Sequence, residues 1–182
     1  IKPEEDLFAY YYDQQGSTPG TLNIEKDAPP PEIILIDYSE KERVRRVLNN
    51  PEDCIPYLDT ESVSWIDVLG LGCEDVLQRL GKVFELHPLV LEDIVNVPQR
   101  AKIEDYENHL VIISHMVLLK ENSTGFWNEQ VSLVLGKHYL LTVQEEPSRD
   151  CFQPVRERIR SGKGTIRKQK ADYLAYTLID SI

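Results

Sequence analysis

Glu92 and Asp93, two adjacent carboxylates in this 182-residue chain, are the side chains best suited by type to a hard divalent cation. Mg2+ takes oxygen ligands in near-octahedral geometry and keeps several waters, so one or two carboxylates suffice, above all when they face carboxylates of another chain. Neighbouring helical residues point about 100° apart. Glu92 and Asp93 therefore would not chelate one ion together, but each could serve a separate ion along an interface. The same pair also reads as a solvated helix face, or as favourable charge near a helix N-terminus. The pattern alone leaves both readings open. His87, His109, His115 and His138 have no metal-ligand spacing. His109 and His115 share strand parity, but six residues of strand separate them by about 20 Å. They read as ordinary surface or core histidines. Gly162-Lys163-Gly164-Thr165 lacks the preceding spaced glycine and strand of a phosphate loop, and reads as a link between helices. GxSxG, HExxH and GxGxxG are all missing, and no nucleophile and base can be paired, so no enzymatic activity is expected.

A basic block, Arg156, Arg158, Arg160, Lys163, Arg167, Lys168 and Lys170, lies within a chain of net charge −11. No aromatic residues interleave with it as a base-stacking platform would need. It reads as neutralising acidic surface within the protein or between subunits, and nucleic acid is not an expected partner. The three cysteines are far apart and form no CxxC pair. A zinc or redox motif is not expected, and a reducing, intracellular compartment is. Asn122-Ser123-Thr124 matches a glycosylation sequon, with nothing else pointing to secretion.

Hydrophobic residues make up 41% of the chain, enough for a real core, yet no run approaches the roughly 18–20 apolar residues of a membrane span. Residues 1–31 contain Tyr10-Tyr11-Tyr12, the turn-prone Gly16–Gly20 stretch and Pro29-Pro30-Pro31. Successive prolines favour extended geometry, so this stretch is expected to be a flexible or loosely docked arm. A folded domain is expected over 32–182. The run Ile33–Ile36 predicts a strand buried on both faces. Lys41–Val47 predicts a neighbouring strand, and Pro51–Leu58 opens with a helix-start signal. Ser62–Val68 predicts a further strand, with Val63, Trp65 and Asp67 on one face and Ile66 and Val68 on the other. Cys73–Phe84 is an amphipathic helix pattern, with Val76, Leu77, Leu80, Val83 and Phe84 as its stripe. His87-Pro88 then starts a new helix, Pro88–Val95. Beyond Pro98 the period becomes two. Leu110–Leu119, Gln130–Leu135 and Tyr139–Gln144 predict an antiparallel meander with a turn at Asn122–Gly125. From Asp150 onward the spacing is helical again. This alternation implies an α/β layered domain.

Residues 85–105 run Glu-Leu-His-Pro-Leu-Val-Leu-Glu-Asp-Ile-Val-Asn-Val-Pro-Gln-Arg-Ala-Lys-Ile-Glu-Asp. They resemble the signature of the CorA transporters, HPLxLEDI followed after a short gap by QRPK and an acidic residue. Glu129–Leu133, Pro154–Ile159, Ala171–Leu174 and Leu178–Asp180 continue the likeness in the same order, over roughly residues 20–182. The resemblance implies an α/β/α sandwich with a mixed, largely antiparallel sheet. It further implies the cytoplasmic domain of a homopentameric inner-membrane transporter of Mg2+ and possibly Co2+, with the stalk helix and two membrane spans beyond Ile182. Mg2+ bound between cytoplasmic domains would hold the pore closed. By motif, Asp93 would face a carboxylate of a neighbouring chain, and Glu92 and Asp180 would belong to a nearby second site. The chain departs from the pattern at Pro98, where some relatives carry His, and at Ala101, where Pro is usual. A free-standing acidic α/β binding protein or enzyme is the alternative.

Overall fold

The computed structural model describes residues 10–120 and 125–182. Its centre is a seven-stranded sheet built from β1 (Glu32–Tyr38), β2 (Arg43–Leu48), β3 (Val63–Leu69), β4 (Lys102–Asp105), β5 (Leu110–Leu119), β6 (Phe126–Leu135) and β7 (Tyr139–Gln144). The spatial order is β2-β1-β3-β7-β6-β5-β4, and the β3–β7 pair alone is parallel. The mixed, largely antiparallel sheet expected from the resemblance is therefore present. The hairpin turn expected at Asn122–Gly125 falls mostly on residues 121–124, outside the described residues. Sequence reading missed β4, a four-residue edge strand with alternating exposure and only one apolar residue, Ile103. Pro51–Tyr57, where a helix start was expected over Pro51–Leu58, forms a 3-10 helix with Pro56 inside it.

Each face of the sheet is covered by helices. On one face α1 (Glu74–Val83) and α2 (Pro88–Val95) lay Leu77, Leu80, Val90 and Ile94 onto Leu35, Ile66, Val68 and Leu141. On the other, α3 (Gln153–Ser161) and α4 (Ala171–Ile179) lay Val155, Ile159, Leu174 and Leu178 onto Ile36, Trp65, Leu133 and Leu140. This is the α/β/α sandwich. It follows from strands whose alternate residues are apolar on both sides, so that neither face can be left to water. Val63 and Trp65 pack on the α3/α4 face, and Ile66 and Val68 on the α1/α2 face, as strand parity requires.

Asp67 breaks the apolar pattern of β3. It is fully buried and faces α3. Arg156 of α3 answers it, bridging Asp67 and Asp150 through its two terminal nitrogens. The Thr142 hydroxyl donates to Asp67 at 2.7 Å and accepts from Trp65 Nε1 at 2.9 Å. Burial pushes the Asp67 carboxyl above its ordinary range, while Arg156 pulls it back.

The segment before β1 lies against the α1/α2 layer. Leu22 and Ile24 join that core, and Gly72 N–H donates to the Pro29 carbonyl at 2.7 Å. Gly72 is required at this approach, since a Cβ there would lie 2.1 Å from the Ala28 carbonyl oxygen.

Two outcomes follow for stability. Arg156→Met should cost roughly 3–5 kcal/mol in urea unfolding, because it strands a buried carboxylate. Adding Asp67→Asn should recover part of that loss; a double variant as unstable as the single would refute the pairing. Glu129 of β6 is buried, and burial raises its pKa although the Glu146 N–H at 2.7 Å lowers it. A carboxyl raised in the folded state contributes stability that is present below its unfolded value of about 4.3 and is lost as pH climbs through the folded value. The stability of Glu129→Gln relative to the parent should therefore increase from pH 4 to pH 7. A flat difference would mean that Glu129 keeps an ordinary pKa.

Candidate functional site

The carboxylates singled out in the sequence lie on α2, and the local chemistry explains how that helix is set. Pro88 occupies its first turn, and His87 caps it, Nδ1 accepting from Leu89 N–H at 3.2 Å. Val90 and Ile94 bury one side. The other side carries Glu92 and Asp93, both partly accessible. Polar contacts to other parts of the chain fix the end of the helix. Gln130 of β6 donates to the Asp93 carbonyl at 2.9 Å and accepts from Gln99 N–H at 2.7 Å. Asn96, wholly buried at the end of α2, accepts from Asn23 N–H at 2.6 Å and donates to the Thr21 carbonyl at 2.9 Å. The Gly20 N–H donates to the Glu92 carboxylate.

Glu92 and Asp93 have different surroundings. Burial raises the Glu92 pKa, with Asp13 and Asp93 adding to the shift and the Gly20 N–H opposing it. Asp93 is paired with Lys102 of β4, Nζ to Oδ2 at 2.7 Å, and the same ammonium reaches Glu104 at 3.2 Å. Burial pulls the Lys102 pKa down, but its bonds to Asp93 and Glu104 outweigh this and raise it. A cation thus already stands beside Asp93, supplied by the chain itself.

Asp180, the third expected site residue, is exposed at the end of α4. Since α2 and α4 cover opposite faces of the sheet, the fold keeps Asp180 apart from Glu92 and Asp93. Among the described residues no group of three or more His, Cys, Asp or Glu could hold a metal ion. The described residues of one chain therefore bring no three such ligands together, and an ion at Glu92 or Asp93 would draw its remaining oxygens from water or other residues.

Two further histidines have structural partners. His115 bonds to the Gln99 carbonyl at 2.7 Å and to Asn128 at 3.1 Å, and His109 stacks on Tyr106. Much of the basic block is used within the chain, as in Arg156 with Asp67 and Asp150, Arg160 with Glu157, Arg167 with the Ser39 carbonyl, and Lys168 with Glu40. Sequence reasoning missed Asn96, Lys102 and Gln130 as the residues that hold α2 and Asp93. Asn96 and Lys102 lie within the 85–105 stretch and Gln130 within 129–133, but their partners are contacts no spacing reveals. Among the described residues no helix is long and apolar enough to cross a membrane.

Comparison with known proteins gives the same answer along most of the chain. Residues 60–182 match the family described as CorA-like Mg2+ transporter protein. The cobalt/magnesium transport protein CorA of Thermotoga maritima is 43% identical over 170 residues, covering 93% of this chain and 48% of that protein. The chain thus spans about half the length of this relative. Among solved structures, the full-length CmaX protein superposes with a TM-score of 0.64 at 15% identity, over 80% of this chain and 43% of its own. The complete CorA magnesium transporter of Methanocaldococcus jannaschii gives 0.54 at 18% identity, over 82% and 44%. At these identities the two structures establish the fold alone. The extent of the family match and the Thermotoga identity establish more: this chain belongs to the CorA-like Mg2+ transporter family.

Proposed function

We propose that this chain is the cytoplasmic regulatory part of a channel-type transporter of divalent cations, Mg2+ and also Co2+, that works as a homopentamer in the cell's inner membrane. In this reading the pore and its two membrane spans belong to sequence following Ile182. Mg2+ held between neighbouring cytoplasmic domains favours the closed state, so that a cell replete in Mg2+ closes its own entry route.

The observation that supports this most is the separation of the carboxylates. Glu92 lies on one helical layer and Asp180, expected to share a site with it, at the end of a helix in the other, so one chain cannot join them around an ion. Neighbouring copies in a ring can bring one layer against the next chain. Carboxylates facing each other across such a boundary repel, and a divalent ion turns that repulsion into attraction. An ion that binds one arrangement better than another shifts the population toward it. The Lys102 ammonium on Asp93 fits this picture as the cation present when Mg2+ is low. Mg2+ arriving at Asp93 would displace it.

The test uses the full-length transporter in detergent, with limited proteolysis at rising Mg2+. Millimolar Mg2+ should protect the parent. Asp93→Ala should weaken that protection, and Lys102→Met should shift it to lower Mg2+ by removing the competing ammonium. Protection unchanged in Asp93→Ala would remove Asp93 from the site. Protection unchanged in all three of the Glu92→Ala, Asp93→Ala and Asp180→Ala variants would end the proposal that these residues sense the ion.

A further inference from the structure

A second feature lies far from α2, on the edge of the sheet formed by β2. The β1–β2 register sets Arg45 opposite Ile36 and Arg43 opposite Tyr38. Directly opposed residues share a face, and Ile36 and Tyr38 belong to the core beneath α3 and α4. Arg43 and Arg45 therefore project on the α3 side. From the other wall, α3 presents Arg156 and Arg160. Between them is a cavity of about 190 Å³, lined by these four arginines with Ile36 and Ile159 as apolar walls. The one carboxylate in the lining, Glu157, is already engaged by Arg160 through bonds of 2.7 and 2.6 Å. Among the described residues neither Arg43 nor Arg45 has an ion-pair partner. Arg156 is anchored by Asp67 and Asp150, and its Nε is a buried donor with no acceptor.

We propose that this cavity binds a small phosphate-class oxyanion: inorganic phosphate, pyrophosphate or a compact phosphomonoester. Guanidinium forks match the paired oxygens of such ions and hold them by charge-assisted bonds. Arg43 and Arg45 form no ion pair among the described residues, although Arg43 lies within electrostatic reach of Glu157. The volume is below the roughly 300–1,000 Å³ of pockets for drug-sized ligands, which favours a compact anion over a whole nucleotide. Four arginines around one cavity also stand out in a chain of net charge −11. A cavity of about 380 Å³ under the N-terminal segment has the opposite character, with Asp27 and Glu146 among its lining residues. Charged residues on an edge strand also discourage edge-to-edge pairing. Arg46 is in that position on β2 but sits opposite Leu35, on the other face, and so serves as an internal control.

The experiment is calorimetric titration of pyrophosphate into the chain at low ionic strength and without divalent cations. One saturable event is expected. Arg43→Gln with Arg45→Gln, on the exposed edge strand, should weaken it about tenfold or more. Arg160→Gln, on a different element, should weaken it too, while Arg46→Gln should change it by less than about threefold. No binding up to millimolar pyrophosphate would overturn the proposal. So would an Arg46→Gln loss equal to that of the double variant, which would mean diffuse charge attraction. None of these outcomes depends on Mg2+ or on the transport reading.

Discussion

A carboxylate in the middle of a sheet, shut away from water on every side, has to be answered by a cation or give up its proton. Asp67 is in that position, on β3, where the sheet is about to make its single parallel pairing. Its partner comes from α3, which crosses the α3/α4 face with Arg156 directed inward. That one guanidinium fixes several things together. It holds α3 in register over β3 and β7, gathers Asp150 from the turn before the helix, and leaves Trp65 packed edge-on against Phe152. Hydrophobic burial would hold a helix somewhere on this face. A buried ion pair with Thr142 and Gln144 around it specifies where.

The opposite face is organised by hydrogen bonds in place of a buried charge. Apolar residues seat α1 and α2, but Gln130, Asn96 and the Gly20 N–H set the end of α2. Each is a polar group that loses water and gains a defined partner, so each position is specified more tightly than packing alone would require. The result is a short helix whose carboxylates are presented by a frame of strand and N-terminal segment. Glu92 and Asp93 then differ through their neighbours: one accepts from a backbone N–H, the other faces an ammonium.

How much of this was legible in the sequence depended on the kind of force involved. Strands with continuous apolar runs, such as Ile33–Ile36, and the stripe Leu77, Leu80 and Phe84 could be read directly, because burial leaves a periodic mark. β4 could not, since an edge strand needs few apolar residues and its pairing lies in backbone bonds to β5. The strand order was equally hidden: β7 inserts between β3 and β6, and contacts between segments far apart in sequence carry no local signal. Glu92 and Asp93 were recognisable as candidate ligands by residue type. Their settings were not, because Lys102 and Gln130 act through space. The family motif told more about this region than any periodicity, as it spans α2 and the approach to β4.

The charge distribution links the two faces. In the proposed assembly, copies of a chain of net charge −11 bring like charges together unless cations intervene. Lys102 lessens that problem locally at Asp93, and the α3 arginines do so on the other layer. An ammonium on a flexible stem is a weak, replaceable partner, whereas a guanidinium held by two carboxylates is close to permanent. The cations of the two layers therefore differ in how readily they give way. Arg156 cannot leave without exposing Asp67 to an apolar interior. Lys102 can swing into water with little loss, since its partners Asp93 and Glu104 are both partly solvated and their attraction for it is screened. The proposed exchange of one cation for another at Asp93 rests on the second kind of contact, the Lys102 ammonium beside α2.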